Sequence, residues 1–147
     1  MNSFSLLINT CLFIGKIPIA PGTMGSFFAL IIWFFLAPSV YSMIICIILL
    51  TILSYYTIST TLLNEEEKDP QFIVIDEAIG IWIALICLPT NNIFFISLAF
   101  ILFRLLDILK PSIIFRSQFF PGALGVLLDD IISGIIVCLI LLGITSL

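Results

Sequence analysis

No histidine occurs anywhere in the 147 residues of this chain, so neither a phosphohistidine intermediate nor a histidine general acid is available to it. Charge is nearly as scarce. Asp, Glu, Lys and Arg make up 10% of the sequence against 62% hydrophobic residues, and the mean hydropathy of +1.35 excludes an ordinary soluble globular domain. Only five residues are basic and the net charge is −4; no nucleic-acid partner is expected. The four cysteines, Cys11, Cys46, Cys87 and Cys138, form no Cys-x-x-Cys pair and read as small buried hydrophobes, not as disulfide or metal positions. The N-terminus lacks both a positive n-region and a small-x-small cleavage site, so it reads as part of the mature protein and not as a signal peptide.

What fills the space is hydrocarbon. Residues 17 to 64 are a charge-free run of 48, residues 78 to 103 one of 26 and residues 131 to 147 one of 17, where a membrane span needs about 20. The expected architecture is therefore a single all-α membrane domain over residues 1 to 147, a multi-pass bundle of about four or five membrane helices. Helices are predicted over about Thr23 to Ala37, Val40 to Leu63, Ile73 to Leu88, Ile93 to Leu109 and Asp129 to Thr145. Pro38-Ser39 and Pro89-Thr90-Asn91-Asn92 supply the turns between paired helices. Phe4 to Gly15 is short for a span and reads as an interfacial or re-entrant segment.

Following the crossings places every charged residue on one side. Because Lys16, Lys68, Arg104, Lys110 and Arg116 are all there, the positive-inside rule makes that side cytoplasmic. A single long span from Ile75 to Arg104 would instead bury Pro89 to Asn92 at mid-bilayer, where freed backbone groups are costly. Glu65, Glu66, Glu67 and Asp69 fall within one polar stretch, Asn64 to Gln71, and read as a solvated loop.

Five other carboxylates, Asp76, Glu77, Asp107, Asp129 and Asp130, sit at the edges of the apolar segments. An acid near hydrocarbon costs several kcal/mol unless it is paired, hydrated or bound to metal, so such a cluster marks a functional site. Asp76-Glu77 precedes Gly80, and Asp129-Asp130 precedes Gly134. Acids at a helix start are also what the helix dipole selects, so one of each pair can be structural. Adjacent helical residues point about 100° apart, and the expectation is one ligand from each pair, with Asp107 completing an oxygen-rich site between three helices. Oxygen ligands without histidine or thiolate suit Mg²⁺ or Mn²⁺.

Arg104, Asp107 and Lys110 recur at three-residue intervals. They are either two intrahelical ion pairs or a metal ligand flanked by two phosphate-binding cations. Two Pro-Gly-x-x-Gly turns, Pro21 to Gly25 followed by Ser26, and Pro121 to Gly125, permit close approach of a phosphate to backbone N–H groups through Thr23, Gly25 and Ser26. The alternative is an N-cap at Thr23 and small residues for tight packing. With no Cys-x5-Arg loop, Asp-x-Asp motif or P-loop present, the chemistry left open is metal-assisted attack by water.

At these residues the chain resembles the phosphatidylglycerophosphatase A family. The matching blocks are Ala20 to Ser26, Ile75 to Gly80, Leu88 to Asn91, Phe103 to Pro111 and Gly125 to Gly134, in the family's order. The resemblance implies a Mg²⁺-dependent, multi-pass bacterial inner-membrane enzyme that converts phosphatidylglycerophosphate to phosphatidylglycerol on the cytoplasmic face. It carries catalytic and metal-binding roles onto Asp76, Glu77, Asp107, Asp129 and Asp130; the expected partners are the lipid substrate and surrounding membrane lipids, with oligomeric state open. Two departures stand out: Pro121-Gly122-Ala123 replaces a frequent His-Gly-Gly turn, and Ile113 replaces a second proline after Lys110-Pro111. Competing readings are a CDP-alcohol-type phosphatidyltransferase, whose Asp-Gly-x-x-Ala-Arg core is absent, and a divalent-ion transporter or channel subunit. The latter needs mid-membrane acids that the helix assignment does not provide.

Overall fold

The computed structural model describes residues 3–36, 39–63, 65, 70–86, 88 and 92–146. They form α1 (Ser3–Asn9), a 3-10 turn (Ile14–Lys16), α2 (Pro21–Leu36), α3 (Val40–Leu62), α4 (Ile75–Leu85), α5 (Ile93–Leu109), α6 (Ser112–Ser117) and α7 (Ala123–Thr145), with no strand among the described residues. The expected turn residues Pro38 and Pro89 to Asn91, the loop residues Asn64 and Glu66 to Asp69, and Cys87 lie outside the described residues.

Local chemistry explains most boundaries. Pro21 occupies the first position of α2, where its missing N–H costs nothing; Thr23 is thus inside the helix and not its cap. Ser39 Oγ accepts the Ser42 N–H at 3.3 Å to open α3, and Asn92 Oδ1 accepts the Phe94 N–H at 2.9 Å to open α5. Lys110 ends α5 in the left-handed region, φ 42°, and Pro111 prevents continuation. One boundary differs from expectation. α7 starts at Ala123, after Gly122 at φ 63°, six residues before Asp129. The acidic pair had looked like a helix start because acids favour N-termini; here glycine's freedom to turn sets the start instead, and Asp129 and Asp130 lie in the second turn. The short α6 was not foreseen.

α4 is the axis of the bundle, packed against α2, α3, α5 and α7. Its crossing with α7 is made by two glycines. A Cβ on Gly134 would collide with the Gly80 carbonyl oxygen, and one on Gly80 would meet Phe103 at 2.6 Å and the Asp130 carbonyl oxygen at 2.8 Å. Backbones can therefore approach to contact at this point, with Ile79, Ile81, Leu85, Phe103, Val137 and Leu141 packed around it. Gly134→Ala should cost about 1–3 kcal/mol by overpacking, because the obstructing atom is backbone and cannot rotate away. Thermal unfolding in detergent would check it; an unchanged midpoint would show that the helices separate without penalty.

α1 docks through polar groups. Thr57 Oγ1 donates to Asn9 Oδ1 at 2.6 Å, Asn9 Nδ2 donates to Thr61 Oγ1 at 2.9 Å, and the Val74 N–H donates to the Asn9 carbonyl at 2.8 Å. Asn9 is fully buried, so the N-terminal segment is fastened to α3 and to the entry of α4 by satisfied hydrogen bonds.

α3 and α7, each of 23 residues with hydropathies of 2.0 and 2.5, are long and apolar enough to cross a bilayer. Only 28% of the α3 window is buried within the protein, and Tyr41, Ile45, Leu49, Ile52 and Tyr56 form an exposed stripe at helical spacing. An apolar stripe of that length facing outward fits hydrocarbon and not water; this is a membrane protein. The cysteines depart from the uniform buried set expected. Cys46 is exposed, Cys11 is half-buried with its thiol pushed up to about 12 by burial and by the charge of Glu77, and Cys138 is disulfide-bonded. Distance in sequence had suggested unpaired thiols, but helices that pack side by side place distant residues in contact.

Candidate active site

The glycine crossing sets the site. Asp76 and Glu77 lie about one turn before Gly80, and Asp130 lies one turn before Gly134, so bringing the two glycines together brings these acids together beneath the contact. One carboxylate oxygen from each of Asp76, Glu77 and Asp130 falls within 4.8 Å of the others. Like charges that close repel by on the order of 3 kcal/mol per pair at an effective dielectric of ~20. Such a group could hold a cation. Glu77 Oε2 and Asp130 Oδ1 are buried without a hydrogen-bond partner, which leaves ligand atoms ready for one.

Both members of the α4 pair contribute to the trio, against the expectation of one ligand per pair. Two causes act together: the Glu77 N–H donates to Asp76 Oδ1 at 3.1 Å, and Glu77 extends its longer side chain across the bare face of Gly22, where a Cβ would collide with Oε1. The α7 pair divides in position. Asp130 joins the trio while Asp129 Oδ2 accepts from Lys110 Nζ at 2.8 Å and from Gln118 Nε2 at 3.0 Å.

Asp107 stands beside the trio and pairs with Arg104 Nη1 at 2.6 Å. Arg104 Nη1 also lies 3.4 Å from Ser26 Oγ, and its buried Nε has no partner. Of the two intrahelical ion pairs that spacing allowed, only Arg104 with Asp107 forms. Lys110 has left the helix and turns to Asp129 on α7 instead. Burial alone would lower the Lys110 ammonium; the hydrogen bond and charge of Asp129, with Asp107 and Asp130, outweigh it and hold the group above its ordinary value. The stability this pairing contributes is complete below the usual lysine range and is lost as pH rises through the raised value.

All five carboxylates, Arg104 and Lys110 line one cavity of about 420 Å³, closed on the α2 side by Pro18, Ala20, Pro21, Gly22 and Thr23. Gly25 and Ser26 do not line it. Gly25 packs on Val74, where a Cβ would meet the valine Cβ at 2.7 Å, and the buried Ser26 donates to the Gly22 carbonyl at 2.8 Å while backing Arg104. The second Pro-Gly-x-x-Gly turn is also absent from the lining; Gly125 packs on the carbonyls of Phe120 and Gln118. Gln71, on the cavity wall, and Gln118, on Asp129, were not singled out from sequence. Gln71 ends the polar stretch read as a solvated loop, and Gln118 stands between Ser117 and Phe119; neither belongs to a motif that could have announced it.

The family described as Phosphatidylglycerophosphatase A matches residues 7–145 of the chain. A Phosphatidylglycerophosphatase A of Escherichia coli is 37% identical over 126 residues, covering 83% of this chain and 72% of its own. One of Haemophilus influenzae is 32% identical, covering 88% of this chain and 82% of its own. A Bacteroides thetaiotaomicron relative, provisionally named a phosphatidylinositol-3-phosphatase, is 34% identical over 88% of this chain and 86% of its own. No solved structure matches.

Proposed function

This chain belongs to the phosphatidylglycerophosphatase A family, and we propose that it hydrolyses the terminal phosphate monoester of phosphatidylglycerophosphate, releasing phosphatidylglycerol and inorganic phosphate. The observation that carries the reading is one cavity holding three convergent carboxylates beside two cations. It lies at the end of an apolar bundle where α5 stops and α4 begins. We place it on the cytoplasmic face of a bacterial inner membrane, because the five basic residues gather there along the chain. On this reading α2 and α5 cross the bilayer with α3 and α7, and α4, 11 residues long, adds a shorter buried segment.

Asp76, Glu77 and Asp130 would hold the metal ion, and their all-oxygen chemistry favours Mg²⁺. When bound, Mg²⁺ neutralises phosphoryl charge and makes water a better nucleophile. The remaining work falls to the chain's own residues. Arg104, with Nε still unpartnered, and Lys110 bind the phosphoryl oxygens and orient phosphorus, the one as a planar donor and the other as a point charge. Thr23, on the wall, is positioned to help through its hydroxyl. Asp129 is held through Oδ2 by Lys110 and Gln118, which leaves the buried Oδ1 without a partner and in place to take the proton of the attacking water. Asp107 keeps Arg104 in position.

Purified protein in detergent should release phosphate from phosphatidylglycerophosphate with Mg²⁺ and lose that activity on chelation, recovering it when Mg²⁺ is restored. Phosphatidic acid and phosphatidylinositol-3-phosphate serve as competing substrates. Faster release from the latter would move the substrate toward the name of the Bacteroides relative; no release from any of the three by folded protein would overturn the phosphatase reading.

A further inference from the structure

α2 and α5 run antiparallel and touch at two levels. Phe27 meets Phe100 edge to face, with centroids 6.1 Å apart, and Ser26 meets Arg104 at 3.4 Å. One turn nearer the site the bare face of buried Gly22 is covered by Glu77 and approached by Arg104 Nη1, while Ile108 continues the cavity wall on α5. Ile108 lines the polar cavity and is 67% exposed, so this apolar side chain stands at the rim, between the cavity and the surface of the bundle.

The outer surface at this point is apolar and continuous. On α5, Ile101, Leu105 and Ile108 are exposed at i, i+4 and i+7, and on the α2 side Met24 and Phe27 are exposed at i and i+3. These stripes run from the cavity toward the hydrophobic middle of the bundle. Beside Ile108 the wall also carries the exposed, apolar Pro18 and Ala20 just ahead of α2; the rest includes Ile73, the acids at the α4 and α7 crossing, and Gln71. Arg104 and Lys110 bracket Ile108 at i−4 and i+2, so the groups that bind a phosphate stand immediately inside the opening.

We infer that the seam between the start of α2 and the end of α5 is a lateral lipid portal. The substrate keeps its acyl chains in the bilayer, laid along the Ile101, Leu105 and Ile108 stripe, while its phosphate monoester reaches Arg104 and Lys110 past Ile108. The inference rests on the lipid-phosphatase reading above and assigns the apolar occupant of the groove: one acyl chain of the diacyl substrate. A lipid that never leaves the membrane pays no cost for exposing its chains to water, which is the physical advantage of side entry.

The test compares two substrates in mixed micelles: long-chain phosphatidylglycerophosphate and its deacylated, water-soluble headgroup. Ile108→Trp fills the seam and should lower the ratio of kcat/KM for lipid to kcat/KM for headgroup by about tenfold or more. An unchanged ratio, whether both rates fall together or neither falls, overturns the portal. In the unaltered chain, a lipid substrate with a photoactivatable group in its acyl chain should crosslink to the segment from Ile101 to Leu109; crosslinks confined to α3 or α7 overturn it equally. If the unaltered chain hydrolyses neither substrate, the phosphatase reading fails, a result distinct from an unchanged ratio.

Discussion

Asp130→Asn is expected to lower kcat/KM by roughly a thousandfold, since the charge stabilisation a bound cation gives the transition state is worth several kcal/mol at about 1.4 kcal/mol per decade. The substitution keeps shape and size and removes one negative charge from a trio of oxygens held within 4.8 Å. Without metal, that charge is a liability, because the burial of Asp76 and Asp130 gives water little chance to screen it. The variant should therefore unfold at a higher temperature than the unaltered protein in chelator, and Mg²⁺ should no longer raise its midpoint. Activity and stability thus move in opposite directions. A merely structural aspartate, lost from a hydrogen-bonded pair, would lower both. Wild-type turnover together with an intact Mg²⁺ shift would remove Asp130 from the metal site.

Gly22→Ala is the second large effect, expected from a residue that carries no chemistry. A methyl at this position would collide with Glu77 Oε1. The obstructing atom is the end of a flexible side chain, so the protein can accommodate the methyl by moving the carboxylate, and alanine is a better helix former than glycine by about 1 kcal/mol. Stability should hold or rise slightly. The catalytic geometry should not: displacing a reacting or ligating group by about 1 Å costs roughly a hundredfold in rate. Measured together, an unchanged unfolding midpoint, a hundredfold lower kcat/KM and a weaker apparent Mg²⁺ affinity would identify Gly22 as the space into which Glu77 extends. Full activity would show that Glu77 works from another position or not at all. The contrast with Gly134→Ala is instructive, since there the obstruction is the backbone of Gly80 and the expected loss is stability.

Apolar run lengths, turn residues and the isolated acids were enough to expect an all-helical membrane protein whose five scattered acids share one cavity. Hydropathy is additive along the chain, so the apolar helices and the starts of α2, α3, α4 and α5 could be read within two residues. The donor types, carboxylates with no histidine, would suit a hard cation whatever the fold. The family resemblance, carried by five motif blocks, pointed to the same chemistry.

What depends on three-dimensional contact was out of reach. That α7 begins at Ala123 follows from Gly122 turning at positive φ. That Glu77 joins Asp76 in one centre follows from the bare surface of Gly22 on another helix. That Lys110 grips Asp129 and not its own helix follows from the left-handed turn that ends α5. Gln118 had no periodic pattern to announce it, because its role is set by the residue it touches, 11 positions away. Sequence by itself determined which groups are costly to place near hydrocarbon and therefore had to gather; tertiary structure alone decided which of them meet. Burial energies sum over single residues, whereas coordination depends on distances between helices, and those distances are set by where two glycines let backbones touch.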